Sequence, residues 1–333
     1  MNRLIEELSN PAALPDPTGN VSVVQTHISV VLVADDHVYK IKKPVNFGFL
    51  DFSTLEKRKY YCFQEIELNS RLSEGIYLEV KPVIFDGVSH HLRDGEGKIV
   101  DYAVRMRRIP EDNLMKSLFK KRELTEGHLE KIAVVLARFH KTAARSEEID
   151  RFGSASGFKI NTDENFDQIE PFVGRSIDRS TFETLKGWTE RFYSDHGGLF
   201  EERMAAGKIR DCHGDLHMEH VCFGDGGNVA VIDCIEFNQR FRYSDTLADF
   251  GFLLMDLEFH GGDDLAERLW DFYRTRAESG NVDHLLTFYK VYRAVVRGKV
   301  IGFQLDDDNI AEAERQEAAE RAGRYFELAA GYI

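Results

Sequence analysis

The chain has 333 residues, 43% of them hydrophobic and 30% charged, with a net charge of −14. No apolar run approaches the ~20 residues of a membrane helix, so no membrane partner is expected. Nonspecific nucleic-acid binding needs basic patches against phosphates, and this acidic balance disfavours it. The opening MNRLIEELSN lacks the basic-then-apolar pattern of a signal peptide. Four cysteines without a paired framework suit a reducing compartment, and the expected location is the cytoplasm.

Up to about residue 105 the apolar residues run mostly at strand spacing. VSVVQTHISVVLVADDHVYKIKKP reads as strands around a turn at Thr26–Ser29 and a second turn at Asp35–Asp36. FSTLEKRKYYCFQEIELNSRL then switches to helical spacing, with Ser53 as candidate N-cap and Glu56 completing a capping box. Strands return in LEVKPVIFD and IVDYAVRMRRIP. After Pro110 the patterns are helical, over 125–145, 178–206, 245–258, 264–278, 282–303 and 308–330. A β-rich first third followed by a helical remainder is an α+β, two-lobed layout with its joint near Met106–Pro110.

The densest chemistry lies in DCHGDLHMEHVCFGDGGNVAVIDCIEF, residues 211–237, with three of the four cysteines and three of the twelve histidines. Structural zinc sites use paired ligands such as C-x₂₋₄-C or H-x₃₋₅-H. Cys212, Cys222 and Cys234 are instead widely separated, and Gly214 breaks the helix that His213 and His217 would need. Two of the cysteines stand in strand-like stretches, where a buried thiol is a small hydrophobe. A second reading follows the order of elements: a polar loop, a short strand, a GDGGN turn, and a strand ending in an acid. That hairpin can bring Asp215 and Asp233 together, one orienting a hydroxyl and one holding a metal, as kinase-type phosphoryl transfer requires.

H-G-D-L-H followed by a hairpin and I-D resembles the aminoglycoside phosphotransferase family, relatives of the protein kinases. VYKIKKP is similar to its phosphate-lysine strand, and Glu65 in QEIELNSRL falls where the lysine's partner stands. LARFH ending at His140 and SDTLADF ending at Asp249-Phe250 are similar to further family segments. THIS, KKPVNFGFLDFSTLE, HGDLHxxH and DCIEFNxRFRYSD look like an uncharacterised bacterial branch. Some members of it carry an added C-terminal P-loop domain. No G-x-x-x-x-G-K-[ST] occurs here, and that domain is expected to be absent.

The resemblance implies a bilobal protein-kinase-like fold. Residues 1–105 would form a small β-rich N-lobe with the nucleotide-binding sheet and one helix. Residues 106–333 would form the hinge and a helical C-lobe with the catalytic loop and acceptor site. It implies ATP and Mg²⁺, with Mn²⁺ as an alternative ion, and a small hydroxylated acceptor. Asp215 matches the catalytic aspartate and Asp233 the metal aspartate. Lys40, with Lys42 second, matches the phosphate lysine, and Glu65 its partner. Thr26 and Ser29 take the place of a glycine-rich phosphate loop, and Met106 and Arg107 open the hinge against adenine.

Two departures stand out. The family's metal-binding Asn, five residues after the catalytic Asp, is here His220, although Mg²⁺ prefers oxygen ligands and imidazole suits softer metals. Glu236 or Asn238 could compensate. Asp249-Phe250-Gly251 spells the protein-kinase metal triplet, but inside an apolar helical run, and the resemblance assigns Asp249 to bracing the catalytic loop. Two other functions stay open: a nucleotide-binding pseudokinase or regulatory module, motivated by His220 and the glycine-free loop, and a Cys/His metalloprotein. Neither the acceptor nor the oligomeric state is legible.

Overall fold

The computed structural model describes residues 1–307 and 310–333. In chain order the elements are α1 (Asn2–Leu8), β1 (Ser22–Gln25), β2 (Ser29–Val33), β3 (His37–Lys42), α2 (Leu55–Asn69), β4 (Tyr77–Phe85), β5 (His90–His91) and β6 (Lys98–Arg107). Next come α3 (Met115–Lys121), α4 (Glu126–Thr142), α5 (Glu147–Phe152), α6 (Ala155–Ile169), α7 (Arg179–Ala205), β7 (Ile209–Asp211), β8 (Val221–Phe223) and β9 (Val229–Val231). The chain ends with α8 (Gln239–Arg242), β10 (Tyr243–Asp245), α9 (Thr246–Phe259), α10 (Asp263–Arg276), α11 (Asp283–Gly302) and α12 (Glu312–Gly331). The pattern read over 308–330 is α12, and positions 308 and 309 lie outside the described residues. Among the described residues no helix is long and apolar enough to cross a membrane.

Two compact units form, Met1–Glu123 with Glu219–Gln239, and Leu124–Met218 with Arg240–Ile333. A division after residue 105 is therefore not the one that packing makes. The first unit runs on through α3 and takes in the β8–β9 hairpin.

The first unit is built on an antiparallel sheet in the order β1-β2-β3-β6-β4-β5. Its side chains alternate, because successive residues of a strand point to opposite faces. Val30, Leu32, Tyr39, Ile41 and Ala103 pack with Leu4 and Leu8 of α1. Lys40 and Val104 stand side by side in the β3–β6 register, and Val104 packs with Cys62 of α2 on the other face. Arg58 of α2 donates to Asp101 of β6 at 2.8 Å, a buried ion pair that ties the helix to the sheet. The cap of α2 sits one residue later than its sequence suggests. Thr54, not Ser53, accepts the Lys57 N–H, because the Ser53 hydroxyl donates to Asp51.

The second unit is helical. Every residue of α9 from Thr246 to Leu257 is buried. Phe252 and Met255 of α9 meet Val291, Ala294 and Val295 of α11 and Ala318, Ala322 and Tyr325 of α12. The short β7–β10 ladder pairs Asp211 with Tyr243 and Ile209 with Asp245, and the loop from Cys212 to Met218 leaves from it. Five short or polar helices, α1, α3, α5, α6 and α8, escape a search for helical apolar spacing. In α6 the buried stripe includes Asn161, Thr162 and Asn165, so burial there does not read as hydrophobicity.

Candidate active site

In the first unit the site starts from β3. Lys40 and Lys42 project from one face of the strand, toward α2, and both reach Glu65. The Lys40 ammonium lies 2.8 Å from Glu65 Oε1 and 2.6 Å from Asp233 Oδ1. Lys42 donates to Glu65 Oε2 at 2.6 Å and to Glu236 Oε1. Lys42 is 1% exposed and Lys40 15%, so Lys40 is the lysine that solvent or a ligand can reach. Lys43, on the opposite face, donates to the Thr26 carbonyl.

Burial opposes charge at both lysines, but the Asp233, Glu65 and Glu236 carboxylates hold the Lys40 ammonium well above its usual range. Glu65 is fully buried. Burial alone would raise its carboxyl, yet Lys40 and Lys42 keep it below the ordinary value. Glu236 goes the other way: burial outweighs the attraction of Lys42 and raises it.

Asp233 is placed by the end of α2 and the start of β4. The β9 residue Val231 donates to the Leu72 carbonyl, Asp233 N–H to the Tyr77 hydroxyl at 3.0 Å, and Cys234 N–H to Asn69 Oδ1 at 2.9 Å. Asn69 in turn donates to the Glu65 carbonyl, so one helix end positions both carboxylates. Asp233 has φ 63°, a left-handed conformation that costs a non-glycine residue about 1 kcal/mol or more. Such strain persists where the surroundings over-determine it, and here three backbone bonds do so. Its carboxylate is 45% exposed, and His220 Nε2 stands 3.6 Å from Oδ2. The pair offers one carboxylate and one imidazole, a donor set that suits Mn²⁺ at least as well as Mg²⁺.

Thr26 and Ser29 close the β1–β2 turn on themselves. Ser29 N–H donates to Thr26 Oγ1 at 3.0 Å and Thr26 N–H to the Ser29 carbonyl at 2.9 Å. Ser29 is buried, and its hydroxyl has no partner among the described residues. Met106 and Arg107 end β6. The Arg107 N–H donates to the Ile76 carbonyl and the Arg108 N–H to the Asp36 carbonyl, so neither is open for a nucleotide base.

Asp215 belongs to the second unit. Its carboxylate is 35% exposed, with His217 Nε2 3.5 Å from Oδ2. The loop that carries it is held by Asp249, which accepts from His213 N–H at 3.0 Å and Gly214 N–H at 2.8 Å. Gly214 has φ 88°, which favours glycine at that bend. Arg293 of α11 closes the other side, donating to the Gly214 carbonyl at 2.8 Å and the Ala248 carbonyl at 2.9 Å. Asp256 accepts the Met218 N–H. Burial alone would raise the Asp249 carboxyl. The His140 hydrogen bond and the charges of His140, His213 and Arg293 instead hold it well below the carboxylate range. Asp249 is thus the brace, and Asp249-Phe250-Gly251 lies inside helix α9.

His140, Cys212 and Asp249 bring ligand atoms within 4.8 Å of one another. They are already engaged, His140 with Tyr273 and Asp249, Cys212 Sγ with the Ser244 carbonyl. Burial pushes the Cys212 thiol well above its usual pKa, as for a small buried hydrophobe. All four cysteines are buried and unbridged.

The phosphotransferase enzyme family (APH) matches residues 68–282, well over half of the chain. The chain belongs to that family. An uncharacterised protein of Mycobacterium tuberculosis is 36% identical over 280 residues, 84% of this chain and 54% of that protein. A Mycobacterium bovis protein matches equally. The chain spans about half the length of these curated relatives. Among solved structures, a spectinomycin phosphotransferase with ADP and spectinomycin is similar at TM-score 0.50 and 15% identity, over 95% of this chain and 93% of that one. An amicoumacin kinase with AMP-PNP and Ca²⁺ is similar at 0.52 and 12%, over 96% and 90%. A Plasmodium vivax ethanolamine kinase is similar at 0.50 and 10%, over 94% and 84%. These likenesses carry the fold: the curled antiparallel sheet and the helical unit of this family member are protein-kinase-like, the class its sequence motifs imply.

The sequence pairing of Lys40 with Glu65 and the nearness of His220 to Asp233 both appear in the first unit. Three positioning residues carry no sequence signal of their own: Tyr77 and Asn69 beside Asp233 in the first unit, and Arg293 beside Gly214 in the second. A tyrosine opening a strand, an asparagine closing a helix and an arginine within a helix are each ordinary. Only the fold gives them a target.

Proposed function

We propose that this chain is an ATP-dependent kinase that moves the γ-phosphoryl group to a hydroxyl of a small molecule. The observation that carries the reading is the Lys40 ammonium, ion-paired with buried Glu65 on one side and with Asp233 on the other. Kinase-type transfer needs a lysine fixed by a glutamate against the nucleotide phosphates, and a separate carboxylate for a divalent ion. Membership of a phosphotransferase family supports it, as do similar folds solved with ADP or AMP-PNP.

In this reading Lys40 turns from Asp233 to the phosphates, while Glu65 keeps it in place. Asp233, with His220 beside it, would hold Mg²⁺ or Mn²⁺, which when bound neutralises phosphate charge. Asp215 orients the acceptor hydroxyl. The hydroxyl oxygen bonds to the γ-phosphorus, and the bond from that phosphorus to the bridging oxygen of ADP breaks. The hydroxyl proton passes to the Asp215 carboxylate, leaving a phosphate ester and ADP. At the β1–β2 turn the Thr26 hydroxyl would meet phosphates, since the Thr26 and Ser29 N–H groups are bonded within the turn and Ser29 is buried. The Arg107 N–H, already donated to the Ile76 carbonyl, is not the group that meets the base.

His220 at the family's Asn position favours a second reading, nucleotide binding without transfer. One experiment separates the two. ATP with Mg²⁺ or Mn²⁺ should raise the melting midpoint, since a ligand bound only by the folded state stabilises it. ADP release should then appear with a hydroxylated acceptor. Binding without ADP release across a broad panel of acceptors supports the second reading, and no midpoint shift with either ion sinks both. Lys40→Ala should weaken the shift, and Asp233→Ala should remove its dependence on the ion.

A further inference from the structure

The helix that grips the catalytic loop also carries two cations that, among the described residues, touch no carboxylate. Four basic side chains of α11 can be compared. Lys290 is paired with Glu258 at 2.7 Å, and Arg293 is committed to the Gly214 and Ala248 carbonyls. Arg297 and Lys299 differ. Among the described residues neither has a carboxylate within ion-pair distance. Arg297 Nε is buried with no hydrogen-bond partner, and its guanidinium stands 5.7 Å from the Tyr325 ring of α12. Lys299 donates only to neutral amide oxygens, Asn165 Oδ1 at 2.7 Å and Gln168 Oε1 at 2.9 Å on α6. Glu164, the acid next to that spot, is bonded to Arg240.

A buried charge without a counter-ion is costly, and burial pulls the Lys299 ammonium down to about 8. The neighbouring amides are incomplete too. Asn165 turns its oxygen to Lys299, which leaves Nδ2 buried without a partner, and Asn161 Oδ1 is likewise unpartnered. Arg297 Nε, Asn165 Nδ2 and Asn161 Oδ1 are thus three buried polar atoms with hydrogen-bonding capacity to spare.

Helix periodicity shows what these cations flank. At about 100° per residue, Arg297 and Lys299 project to either side of a face formed by Arg293, Val296 and Val300. Their partners agree, since one reaches α12 and the other α6. Val300 is 47% exposed and Val296 half-buried, so the face opens toward its C-terminal end. Its N-terminal end is the Arg293 bond to Gly214, the residue before Asp215. Burial disfavours the Arg297 charge, but Tyr325, Asp215 and Asp256 together hold the guanidinium above its usual value, so it stays charged beside Asp215. A molecule whose hydroxyl meets Asp215 would extend over Val296 and Val300 with a cation on each side.

We infer that the acceptor is a hydroxylated anion, whose carboxylate or phosphate group is bound by Arg297, with Lys299 supplying the second positive charge. This rests on the phosphotransferase reading and specifies its substrate class. It also sets the chain apart from an enzyme whose acceptor is a polyamine or a quaternary amine, which a guanidinium at this position repels.

The test uses the full chain and a fixed panel. D-Gluconate and D-glycerate represent hydroxy acids, glycerol 3-phosphate and fructose 6-phosphate represent phosphates, sorbitol and glycerol are neutral, and ethanolamine and kanamycin are cationic. Anionic members should raise the melting midpoint without ATP and should release ADP with it. Whether the acids or the phosphates respond identifies the anion. Arg297→Leu should raise KM for the responding compound on the order of 10²-fold with a much smaller change in kcat, the scale of an unpaired buried charge contact. Arg297→Lys should recover part of that. Val300→Glu changes an exposed side chain and should keep the wild-type melting point, yet raise the same KM. Turnover of a neutral or cationic compound with KM unmoved in these variants overturns the anion site while leaving the kinase reading intact. An anion-induced shift that Arg297→Leu abolishes, in a chain that ignores ATP and metal, keeps the site and sinks the kinase. No shift from any anion overturns the inference.

Discussion

Lys42 is clamped between Glu65 and Glu236, residues from α2 and from the segment just after Asp233. One buried ammonium thus joins the lysine partner to the stretch that carries the candidate metal carboxylate. Removing one member of a buried ion cluster typically costs about 3–5 kcal/mol, whereas replacing both members by apolar groups is often close to neutral. Lys42→Met should therefore destabilise strongly, and Lys42→Met/Glu236→Leu should regain most of the loss in urea melts. Affinity for ATP with metal should fall in both, because the double variant restores packing but not the tether. If the double variant recovers nucleotide affinity along with stability, Lys42 is only a structural ion.

His220 offers an imidazole where the resemblance expects an amide oxygen. Imidazole suits borderline metals, and Mg²⁺ keeps to oxygen. Wild type should bind ATP more tightly with Mn²⁺ than with Mg²⁺, and His220→Asn should move the preference toward Mg²⁺ by roughly tenfold, the scale of one altered metal partner. Titrating each ion against a fluorescent ATP analogue reads this without any acceptor. An unchanged Mn²⁺-to-Mg²⁺ ratio places His220 outside the ion's reach.

Much of this was legible from residue patterns, and the gaps have physical causes. Strand alternation correctly puts Lys40 and Lys42 on one face and Lys43 on the other. It cannot say which lysine is deep, because depth is set by Glu236, 194 residues further on. The apolar helical run argues against a metal triplet at Asp249, the resemblance assigns it to bracing the loop, and its two loop N–H bonds agree. The end of β6 reads as a hinge, yet its strand neighbours claim the Arg107 N–H, a pairing that only the sheet order determines. The hairpin after the catalytic loop was predictable, but not that it packs with the first unit. Its contacts with Leu72, Asn69 and Tyr77 come from residues with no motif.

Asp249 also predicts an acid response. Burial would raise its carboxyl, but the His140 bond and nearby cationic groups lower it below the unfolded value, ordinarily near ~3.9. A depressed carboxylate contributes stability that is fully present above the unfolded pKa and is lost as pH falls toward the folded one. Urea midpoints of wild type should accordingly drop from about pH 5 downward. Asp249→Asn should be about 2 kcal/mol less stable near neutrality, having lost one charged acceptor, and should fall less steeply with acid. Parallel slopes for the two proteins would show that other carboxylates dominate.

Asp215 differs from Asp249 in exposure as well as partners, being 35% open with His217 beside it. A carboxylate in that position can orient a hydroxyl and take its proton, and it braces nothing that the structure shows Asp249 bracing. Asp215→Asn keeps the size and most hydrogen bonding but removes charge and basicity. Melting point and ATP affinity should stay within a few-fold or a few degrees of wild type, while turnover falls by about 10²-fold or more, as for other general acid–base groups. Asp249→Asn should lose stability and turnover together, because releasing the His213 and Gly214 N–H groups lets the loop drift, and small misplacements of reacting groups are expensive. Both variants can be compared by melting, nucleotide titration and ADP release with the responding acceptor. Normal turnover in Asp215→Asn, beside an Asp249→Asn protein that melts normally but no longer responds to metal, would exchange the two roles and move the ion to the second unit.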